Sequence, residues 1–374
     1  MSETTALQVI SPGRINLIGE HIDYSGGHVL PAAIDLHISL ELRTTTGTEC
    51  LIESLDLKEQ FSFDLENVVP SQSPWQNYFL CVIHFIQQLR PRKIRGFQCR
   101  LKSTLPIGSG MSSSAALECG LAKGLNKLFD LQLTDIQMVE ASRDAEHHFV
   151  GTKCGIMDQF AVVKGKKENF ILLNCDSLNF DYIPAQFGRY DLLLINSNVS
   201  HNLAESEYNK RREELTEGFD LIKKDYPEFK NPVDLSLQVI DRYKDQLSEK
   251  VYNRLAYSTA ENIRTLKAAE YLRQGAIDNV GNLLFQSHAG LKDLYEVSCP
   301  ELDFLVNQAL ANEHVLGARM MGGGFGGCVI HLMDREKRDD YFQDVSERYY
   351  QQFGIKATAY KVSVSDGVNV STYD

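Results

Sequence analysis

A loop of small residues joins two regions with different hydrophobic periods, and it constrains the fold more than any other stretch of the chain. Before it, over residues 97–101, apolar and polar residues alternate as in a half-buried strand. After it, leucines at positions 117, 121, 125 and 128 recur at helical spacing. The loop itself, residues 108–114, reads Gly-Ser-Gly-Met-Ser-Ser-Ser. The chain is therefore predicted to pass from a strand through this loop into a helix.

This arrangement favours a phosphate site. Small residues let a ligand approach the backbone closely, and a helix that begins at the loop directs unpaired N–H groups and its positive dipole end toward that ligand. The alternative is an ordinary turn in which a serine caps the helix. Two glycines followed by three consecutive serines favour phosphate binding. No G-x-x-x-x-G-K-[ST] motif occurs in the chain, so the loop is not of the Walker A type.

A second glycine cluster, residues 322–327, matches the pattern G-x-G-x-x-G. A strand-like run at 328–332 follows it, whereas the dinucleotide-binding fingerprint must open a helix. We interpret the cluster as backbone that closes tightly on a ligand or on another loop. A purely structural turn fits the pattern equally well.

Two further segments combine polar residues in a way that suits a binding site. Residues 13–24 bring Arg14, Glu20, His21 and Asp23 together, which suits hydrogen bonding to a polyhydroxylated ligand, although a polar surface loop has the same composition. Asp158 stands among apolar neighbours, where a carboxylate is costly unless a cation such as Arg14 pairs with it. The alternative is that Asp158 only caps a helix beginning at residue 159.

Local patterns predict several other elements. Residues 36–42 alternate as a strand, and Thr134 with Gln137 forms a capping-box pattern for a helix that runs to about His148. A buried strand is predicted from Tyr190, followed by a charged, helix-rich stretch over 203–274. An amphipathic helix over 335–353 and a strand around 360–364 are predicted near the end of the chain. The change of pattern at 185–189 indicates a domain boundary.

Taken together, these segments resemble the motifs of the GHMP sugar and metabolite kinases, and within that family those of the galactose kinases. Residues 13–24 resemble the N-terminal motif, residues 106–115 the phosphate loop and residues 322–327 the third motif. The likeness continues through shorter segments at 75–78, 154–159, 206–208, 259–262 and 365–367. It therefore spans essentially the whole chain.

The resemblance implies a mixed α/β (α+β) fold of two domains with the active site in the cleft between them. With the boundary read above, residues 1–187 form the N-terminal domain, which carries the sugar motif and the phosphate loop. Residues 188–374 form the C-terminal domain, which carries the third motif.

The resemblance also implies an ATP-dependent and Mg²⁺-dependent transfer of the γ-phosphoryl group to the C1 hydroxyl of α-D-galactose. Asp158 would be the catalytic carboxylate beside the anomeric hydroxyl, and Arg14 would pair with it and stabilise charge on the transferred group. The sugar-binding residues would be Glu20, His21, Asp23, Gly155 and Tyr208. The ATP-binding residues would be Trp75 and Tyr78 near the adenine and Gly108, Ser109, Gly110, Met111, Ser112, Ser113 and Ser114 around the phosphates. Ser114 and Glu146 would hold Mg²⁺.

Two alternatives stay open. Ile22 stands where galactose kinases usually have threonine, and isoleucine occurs there in the related N-acetylgalactosamine kinases, so a kinase for that or another sugar is one alternative. The other is a non-catalytic sensor of galactose and ATP. Known sensors of that kind lack residues in the phosphate loop, whereas residues 112–116 are intact here.

Charge and cysteine usage narrow the class of protein. The chain has 38 Lys and Arg against 50 Asp and Glu, a net charge of −12 that repels polyanions and argues against a nucleic-acid partner. No apolar run approaches the ~20 residues that span a bilayer. The eight cysteines are scattered without a C-x-x-C pair, and the N-terminus lacks a signal-peptide pattern. We expect a cytoplasmic, monomeric enzyme that acts on small molecules.

Overall fold

The computed structural model describes residues 6–106, 108–200 and 204–372, and in these ranges it has the predicted mixed α/β fold. The strands are β1 (Ala6–Asn16), β2 (His28–Val29), β3 (Pro31–Thr44), β4 (Glu49–Ser54), β5 (Glu59–Asp64), β6 (Phe97–Ser103), β7 (Asn169–Asn174), β8 (Phe180–Pro184), β9 (Tyr190–Ser200), β10 (Val315–Met320), β11 (Gly326–Asp334), β12 (Thr358–Lys361) and β13 (Asn369–Thr372). The helices are α1 (Pro74–Leu89), α2 (Ser113–Leu128), α3 (Asp135–Ala145), α4 (Met157–Lys164), α5 (Ala204–Lys223), α6 (Leu237–Asp241), α7 (Glu249–Gln274), α8 (Ile277–Asp293), α9 (Pro300–Leu310) and α10 (Arg338–Phe353).

The first sheet has six strands in the order β13-β1-β3-β6-β4-β5. The predicted alternation is present in β6, where Phe97, Cys99 and Leu101 are buried and the residues between them are exposed. Helix α2 lies against β1 and β3, and two of its glycines allow the close approach. A Cβ at Gly120 would lie 2.7 Å from Ser11, and one at Gly124 would lie 2.2 Å from Leu42. The helix that follows the phosphate loop is thereby held against the sheet.

The second half of the chain is built around a four-stranded sheet in the order β10-β11-β9-β12. Its β9 confirms the strand predicted from Tyr190, and α5, α6 and α7 account for the helix-rich stretch. The helix predicted over 335–353 begins three residues late, because Arg335–Lys337 forms a 3-10 turn before α10. The last predicted strand is shifted to β12, and Val364 makes only an isolated bridge to Ile34.

The two halves of the chain are in intimate contact. The boundary expected between residues 187 and 188 falls in the connection between β8 and β9, and the division itself stays a prediction. Strand β13, from the end of the chain, pairs with β1 at its beginning. The largest apolar cluster also combines residues from both halves, such as Leu40 with Ile330. In the described part of the chain, no helix combines the length and the hydropathy that a bilayer span requires.

Candidate active site

A cavity of about 530 Å³ opens where the two halves meet. Its lining combines residues from the predicted sugar, phosphate and third-motif segments. The lining residues are Arg14, Glu20, His21, Asp23, Tyr78, Gly108, Glu146, Thr152, Cys154, Met157, Asp158, Tyr208, Gly322, Gly323 and Gly324. Most of the side chains singled out in the sequence are therefore brought together, although they come from positions 14 to 208 of the chain.

Arg14 and Asp158 form a bidentate ion pair at the cavity wall. Arg14 Nε donates to Asp158 Oδ1 and Nη2 donates to Oδ2, each at 2.8 Å. The third nitrogen of the guanidinium, Nη1, donates to the carbonyl of Gly110 in the phosphate loop. The Ser112 hydroxyl donates to the same carboxylate. Arg14 is buried, and burial is the largest single effect on its pKa and lowers it. The charges of Asp158, Glu20 and Asp23, together with the hydrogen bond to Asp158, outweigh burial, so the pKa is raised.

The interpretation of Asp158 as a helix cap is wrong. Helix α4 begins at Met157, and its N-cap is Ile156, which makes no side-chain capping bond. Asp158 therefore lies inside the first turn, and its described hydrogen bonds go to Arg14 and Ser112. On the other side of the pair, a β-bulge between Pro12 and Arg14 interrupts the pairing of β1 with β3. Bulges of this kind redirect side chains, and this one comes immediately before Arg14, at which the pairing with β3 resumes.

His21 is held as a neutral imidazole. Its Nε2 lies 3.1 Å from the carbonyl of Gly323 and must donate to it, so Nδ1 accepts from the Tyr24 hydroxyl at 2.9 Å. Burial lowers the pKa of His21 to about 3. Both ring nitrogens are thus engaged within the protein, and His21 connects the sugar segment to the third motif. The Tyr208 ring lies 5.2 Å from it and completes this wall.

Gly155 serves the pocket by leaving room for Asp23. A Cβ at position 155 would lie 2.1 Å from Asp23 Oδ2, so any side chain there displaces the carboxyl group. Burial raises the pKa of Asp23 to about 7, and the charges of Asp158 and Glu20 add to this effect. The carboxyl group still faces the cavity, where a ligand can reach it.

The phosphate loop contains two glycines in an unusual backbone conformation. It lacks the serine cap that the sequence left open as the alternative to phosphate binding. Gly108 and Gly110 have φ angles of 69° and 74°, in the left-handed region that favours glycine. Ser112 is the N-cap of α2 but makes no side-chain capping bond, because its hydroxyl donates to Asp158. Ser109 and Met111 are buried as whole residues, and neither lines the cavity.

The third glycine motif closes on the phosphate loop. A Cβ at Gly110 would lie 3.0 Å from the carbonyl oxygen of Met321, and one at Gly322 would lie 3.3 Å from Gly110 Cα. A Cβ at Gly327 would lie 3.3 Å from the carbonyl oxygen of Ser109. The loop-on-loop interpretation of this motif is confirmed, and the glycines allow it.

Glu146 lies at the point where α3 changes its geometry. The capping box of Thr134 and Gln137 is present, but α3 ends at Ala145 and a π-helical turn, Glu146–Val150, takes the place of the last predicted turn. Such turns are frequent at functional sites. Burial raises the pKa of the Glu146 carboxyl to about 7, and a hydrogen bond from the Ser114 hydroxyl opposes this effect. Within the described ranges, no group of three or more His, Cys, Asp or Glu side chains is arranged to hold a metal ion.

Several residues singled out in the sequence do not line the cavity, namely Trp75, Ile22, Gly155 and loop residues 109–114. Trp75 donates from Nε1 to Glu59 at 2.8 Å and packs edge-on against Phe61 and Phe79, whereas Tyr78 from the same helix does line it. Ile22 is fully buried in the apolar cluster behind the pocket. Its departure from the usual threonine therefore does not alter the cavity wall.

Helix α7 supports the sugar segment from behind. The Tyr257 hydroxyl donates to the carbonyl of Glu20 at 3.0 Å, and the Gly19 N–H donates to Glu261 at 3.1 Å. The backbone N–H of His28 donates to Asn262 at 2.8 Å. Glu261 and Asn262 belong to the segment 259–262 noted in the sequence, whose part in the site no local pattern could show. Thr152, Cys154 and Met157 were missed as individual lining residues for the same reason.

Comparison with known proteins agrees with this geometry. The family model "GHMP kinases N terminal domain" matches residues 77–166, "Galactokinase galactose-binding signature" matches residues 2–44, and "GHMP kinases C terminal" matches residues 268–351. The chain is 39% identical over 362 residues to a galactokinase of Thermosipho africanus, covering 97% of this chain and 99% of the relative. It is 37% identical over 370 residues to one of Thermotoga maritima, with the same coverage of each chain.

The fold of this chain also superposes on solved structures of kinases. The crystal structure of Lactococcus lactis galactokinase complexed with galactose superposes with a TM-score of 0.92 at 33% identity, covering 98% of this chain and 95% of that one. A mevalonate kinase superposes with a TM-score of 0.62 at 20% identity, covering 95% and 99% of the two chains, which shows a shared fold alone.

Proposed function

The chain belongs to the galactokinases of the GHMP kinase family, and we propose that it transfers the γ-phosphoryl group of ATP to the C1 hydroxyl of α-D-galactose, releasing galactose 1-phosphate and ADP. The observation that carries this proposal is the bidentate pair of Arg14 and Asp158. It joins the sugar segment to the phosphate loop, because the same guanidinium donates to Gly110. The two substrates would meet at this pair.

Asp158 orients the attacking hydroxyl and accepts its proton. Its two oxygens are held by Arg14 and Ser112, so the carboxylate is fixed before the sugar arrives. Arg14 lies between this carboxylate and the phosphate loop and offsets negative charge on the transferred group. Phosphoryl transfer depends mainly on positioning and charge stabilisation, and this pair supplies both.

The sugar binds against the wall formed by Glu20, His21, Asp23 and Tyr208. Carboxyl groups of Glu20 and Asp23 accept hydrogen bonds from sugar hydroxyls, and Gly155 keeps Asp23 in place. His21 acts mainly by holding this wall, since both of its nitrogens already have partners in the protein.

ATP binds along the phosphate loop, where the uncapped N-terminus of α2 attracts negative charge. The backbone of residues 108–114 contacts the phosphates. Tyr78 contacts the adenine from the cavity wall, and Trp75, one turn earlier on α1, supports that side of the site.

The residues around Glu146 fit Mg²⁺. A buried carboxyl whose pKa is raised lacks sufficient compensating positive charge, and the Ser114 hydroxyl beside it offers a second oxygen ligand. Glu146 and Ser114 would hold the ion. When bound, it would neutralise charge on the ATP phosphates.

Neither alternative gains support. Ile22, the reason for considering N-acetylgalactosamine, faces the core and not the cavity. In this structure, both Arg14 and the Ser112 hydroxyl donate to the carboxylate of Asp158. A sensor that does not catalyse phosphoryl transfer would not need a carboxylate held in this way. The division into domains 1–187 and 188–374, the monomeric state and the cytoplasmic location stay predictions.

A substrate panel tests the function. ADP release is measured by a coupled assay with galactose, N-acetylgalactosamine, glucose and no sugar, at equal ATP and Mg²⁺. We expect kcat/KM for galactose to exceed that for either other sugar by at least about 100-fold, the effect of losing two or more hydrogen bonds or of a steric clash. Equal turnover with N-acetylgalactosamine would contradict the assignment of the sugar. Galactose binding without ADP release would favour a sensor.

A further inference from the structure

We propose that Arg319, which does not line the cavity, is a positioning residue that fixes the carboxylate of Glu20 for galactose binding. The inference rests on the proposed function, since Glu20 is taken to bind the sugar. Arg319 stands in β10 of the second half of the chain, 299 residues from Glu20. No sequence motif links the two positions.

The guanidinium of Arg319 is inserted behind the sugar segment. It is fully buried, with Nε donating to the carbonyl of Leu17 at 2.7 Å and Nη2 to that of Asn16. Nη1 donates to the carbonyl of Met320 in its own strand at 2.6 Å. Nη2 also lies 3.3 Å from Glu20 Oε1. A single side chain therefore ties the end of β1, and the carboxylate that follows it, to the second sheet.

These contacts decide which oxygen of Glu20 meets the sugar. Oε1 receives Arg319 and also the backbone N–H of Gly322, the latter at 2.8 Å. All the described hydrogen bonds to this carboxylate go to Oε1, and Glu20 lines the cavity. Oε2 is accordingly the oxygen presented to the ligand. With Oε1 held from two directions, the carboxylate cannot rotate freely, and Oε2 stays in one place.

The requirement is for arginine and not simply for positive charge. A guanidinium presents donors in a rigid planar fork, which here reaches three carbonyls and a carboxylate at once. A lysine ammonium keeps the charge, but its single nitrogen cannot occupy all these positions. Arg319→Lys therefore preserves the charge balance of the buried pair while it releases Glu20 from its fixed orientation.

A second buried arginine provides the matched control. Arg254 is also fully buried and ion-paired, with Glu214 at 2.9 Å and with Glu296. It donates to the carbonyl of Leu294 as well, and none of these partners lines the cavity. Arg254→Lys removes a comparable buried fork and so reports the general cost to the fold.

The experiment measures KM for galactose, KM for ATP, kcat and melting temperature for both lysine variants. For Arg319→Lys we expect KM for galactose to rise at least about tenfold, because an interaction with a charged group is lost in ground and transition states alike. We expect kcat to change less than about threefold and KM for ATP to stay unchanged. Arg254→Lys should lower the melting temperature without raising KM for galactose.

A double-mutant cycle with Glu20→Gln tests whether Arg319 acts through Glu20. If it does, Arg319→Lys should add less than about twofold to KM for galactose when Glu20→Gln is already present. The same increase with and without Glu20→Gln, or no increase in the otherwise wild-type protein, would overturn the inference while leaving the proposed function intact. A wild-type protein that does not phosphorylate galactose would instead overturn the proposed function.

If Arg319→Lys does not fold, a crystal structure of the wild-type protein with galactose decides the matter. We expect Glu20 Oε2 within hydrogen-bond distance of a sugar hydroxyl while Oε1 keeps its contacts with Arg319 and Gly322. A sugar bound to Oε1, or one that does not contact Glu20, would refute the proposal.

Discussion

At the scale of single residues, the site depends on carboxyl groups whose surroundings differ. Asp158 is held by a cation and a hydroxyl, whereas Glu146 is buried beside a hydroxyl with less compensating charge. The first arrangement suits a carboxylate that must be held in one orientation. The second suits one that receives a metal ion. Substitutions that keep shape and remove charge separate these roles.

Asp158→Asn should reduce kcat by roughly 100-fold or more, because the amide keeps the size but loses the charge and basicity. KM for ATP should barely change, since the backbone of the phosphate loop, where we propose that the nucleotide binds, is not substituted. The amide can still accept hydrogen bonds from Arg14 and Ser112, but the buried guanidinium loses its ionic partner, so we also expect a lower melting temperature. The measurement is kcat of the folded variant, checked by melting temperature.

Asp135→Asn is the matched control for Asp158→Asn. Asp135 begins α3 and is ion-paired with Lys123 and Lys164, and it lies outside the cavity lining. Its variant should lose some stability but keep its turnover. Near-wild-type kcat in Asp158→Asn would remove Asp158 from the catalytic step.

Glu146→Gln should raise the Mg²⁺ concentration needed for half-maximal activity, because hard cations prefer charged oxygen ligands to amides. The measurement is a Mg²⁺ titration of the initial rate at saturating galactose and ATP. Asp144→Asn, which alters an acidic residue outside the cavity lining, is the control. An unchanged Mg²⁺ dependence would exclude Glu146 as a ligand.

The pH dependence of stability should also report on Glu146. Its folded-state pKa of about 7 lies above the ordinary value of 4.5, so the folded protein binds the proton more tightly than the unfolded chain does. The stabilisation is fully present below about pH 4.5 and is lost as the pH rises through 7. Without metal, the free energy of unfolding should therefore fall over this range by at most about 3 kcal/mol from this group.

Glu146→Gln should remove that contribution, so the variant should gain stability relative to wild type between about pH 5 and about pH 8. Urea denaturation in the presence of a chelator measures the difference. A difference that does not change with pH would mean that Glu146 is already ionised at the acidic end of this range.

At the scale of elements, the site is a contact between loops, supported by regular structure behind each of them. Helix α2 carries the phosphate loop against the first sheet, and β10 and β11 carry the third motif from the second. The two loops touch through glycine backbones, so their separation is set by the absence of side chains. A Cβ at this contact should disturb the loops without disturbing the sheets.

Gly110→Ala should lower kcat/KM for ATP by about tenfold or more, because the new Cβ would press on Met321 and the alanine would have to adopt a φ of 74°. Gly47→Ala is the control, since Gly47 has a φ of 81° in a turn with nothing within 4 Å. Gly47→Ala introduces the same backbone strain without a steric clash, so this variant should keep full activity. Equal ATP kinetics in both variants would show that the loop contact does not matter for catalysis.

At the scale of the whole molecule, the cavity is a joint between the two halves of the chain. Its lining includes Asp158 and Glu146 from the first half and Tyr208 with residues 322–324 from the second. The largest apolar cluster also contains residues from both halves. A ligand in the cavity therefore stabilises the association of the halves as well as the local loops.

Galactose should raise the melting temperature of the entire protein in a single transition. At about 100 times its dissociation constant, a ligand that binds only the folded state stabilises it by about 2.7 kcal/mol. The measurement is a thermal melt with increasing galactose, and glucose at equal concentration is the control. Two separate transitions, of which galactose shifts only one, would contradict a shared core.

The sequence by itself determined the local elements and the chemistry of the main segments. Hydrophobic periods predicted β6, α2 and β9, and the capping box at Thr134 is formed as expected. These predictions succeed because a period or a cap depends on residues within one or two turns of each other. The pairing of Asp158 with Arg14 was also accessible, because a carboxylate among apolar residues needs a cation and few segments supply one.

Only the tertiary structure decided where each side chain points and what lies behind the site. Ile22 belongs to the sugar segment yet faces the core, and Trp75 packs beside a cavity that Tyr78 lines. Arg319 contacts Glu20, which lies 299 residues away in the sequence, and no local sequence pattern predicts this contact. Such contacts depend on how two sheets and their helices pack together. That packing is set by the shapes of many buried side chains at once, whereas a local pattern records only the preferences of neighbours in the chain.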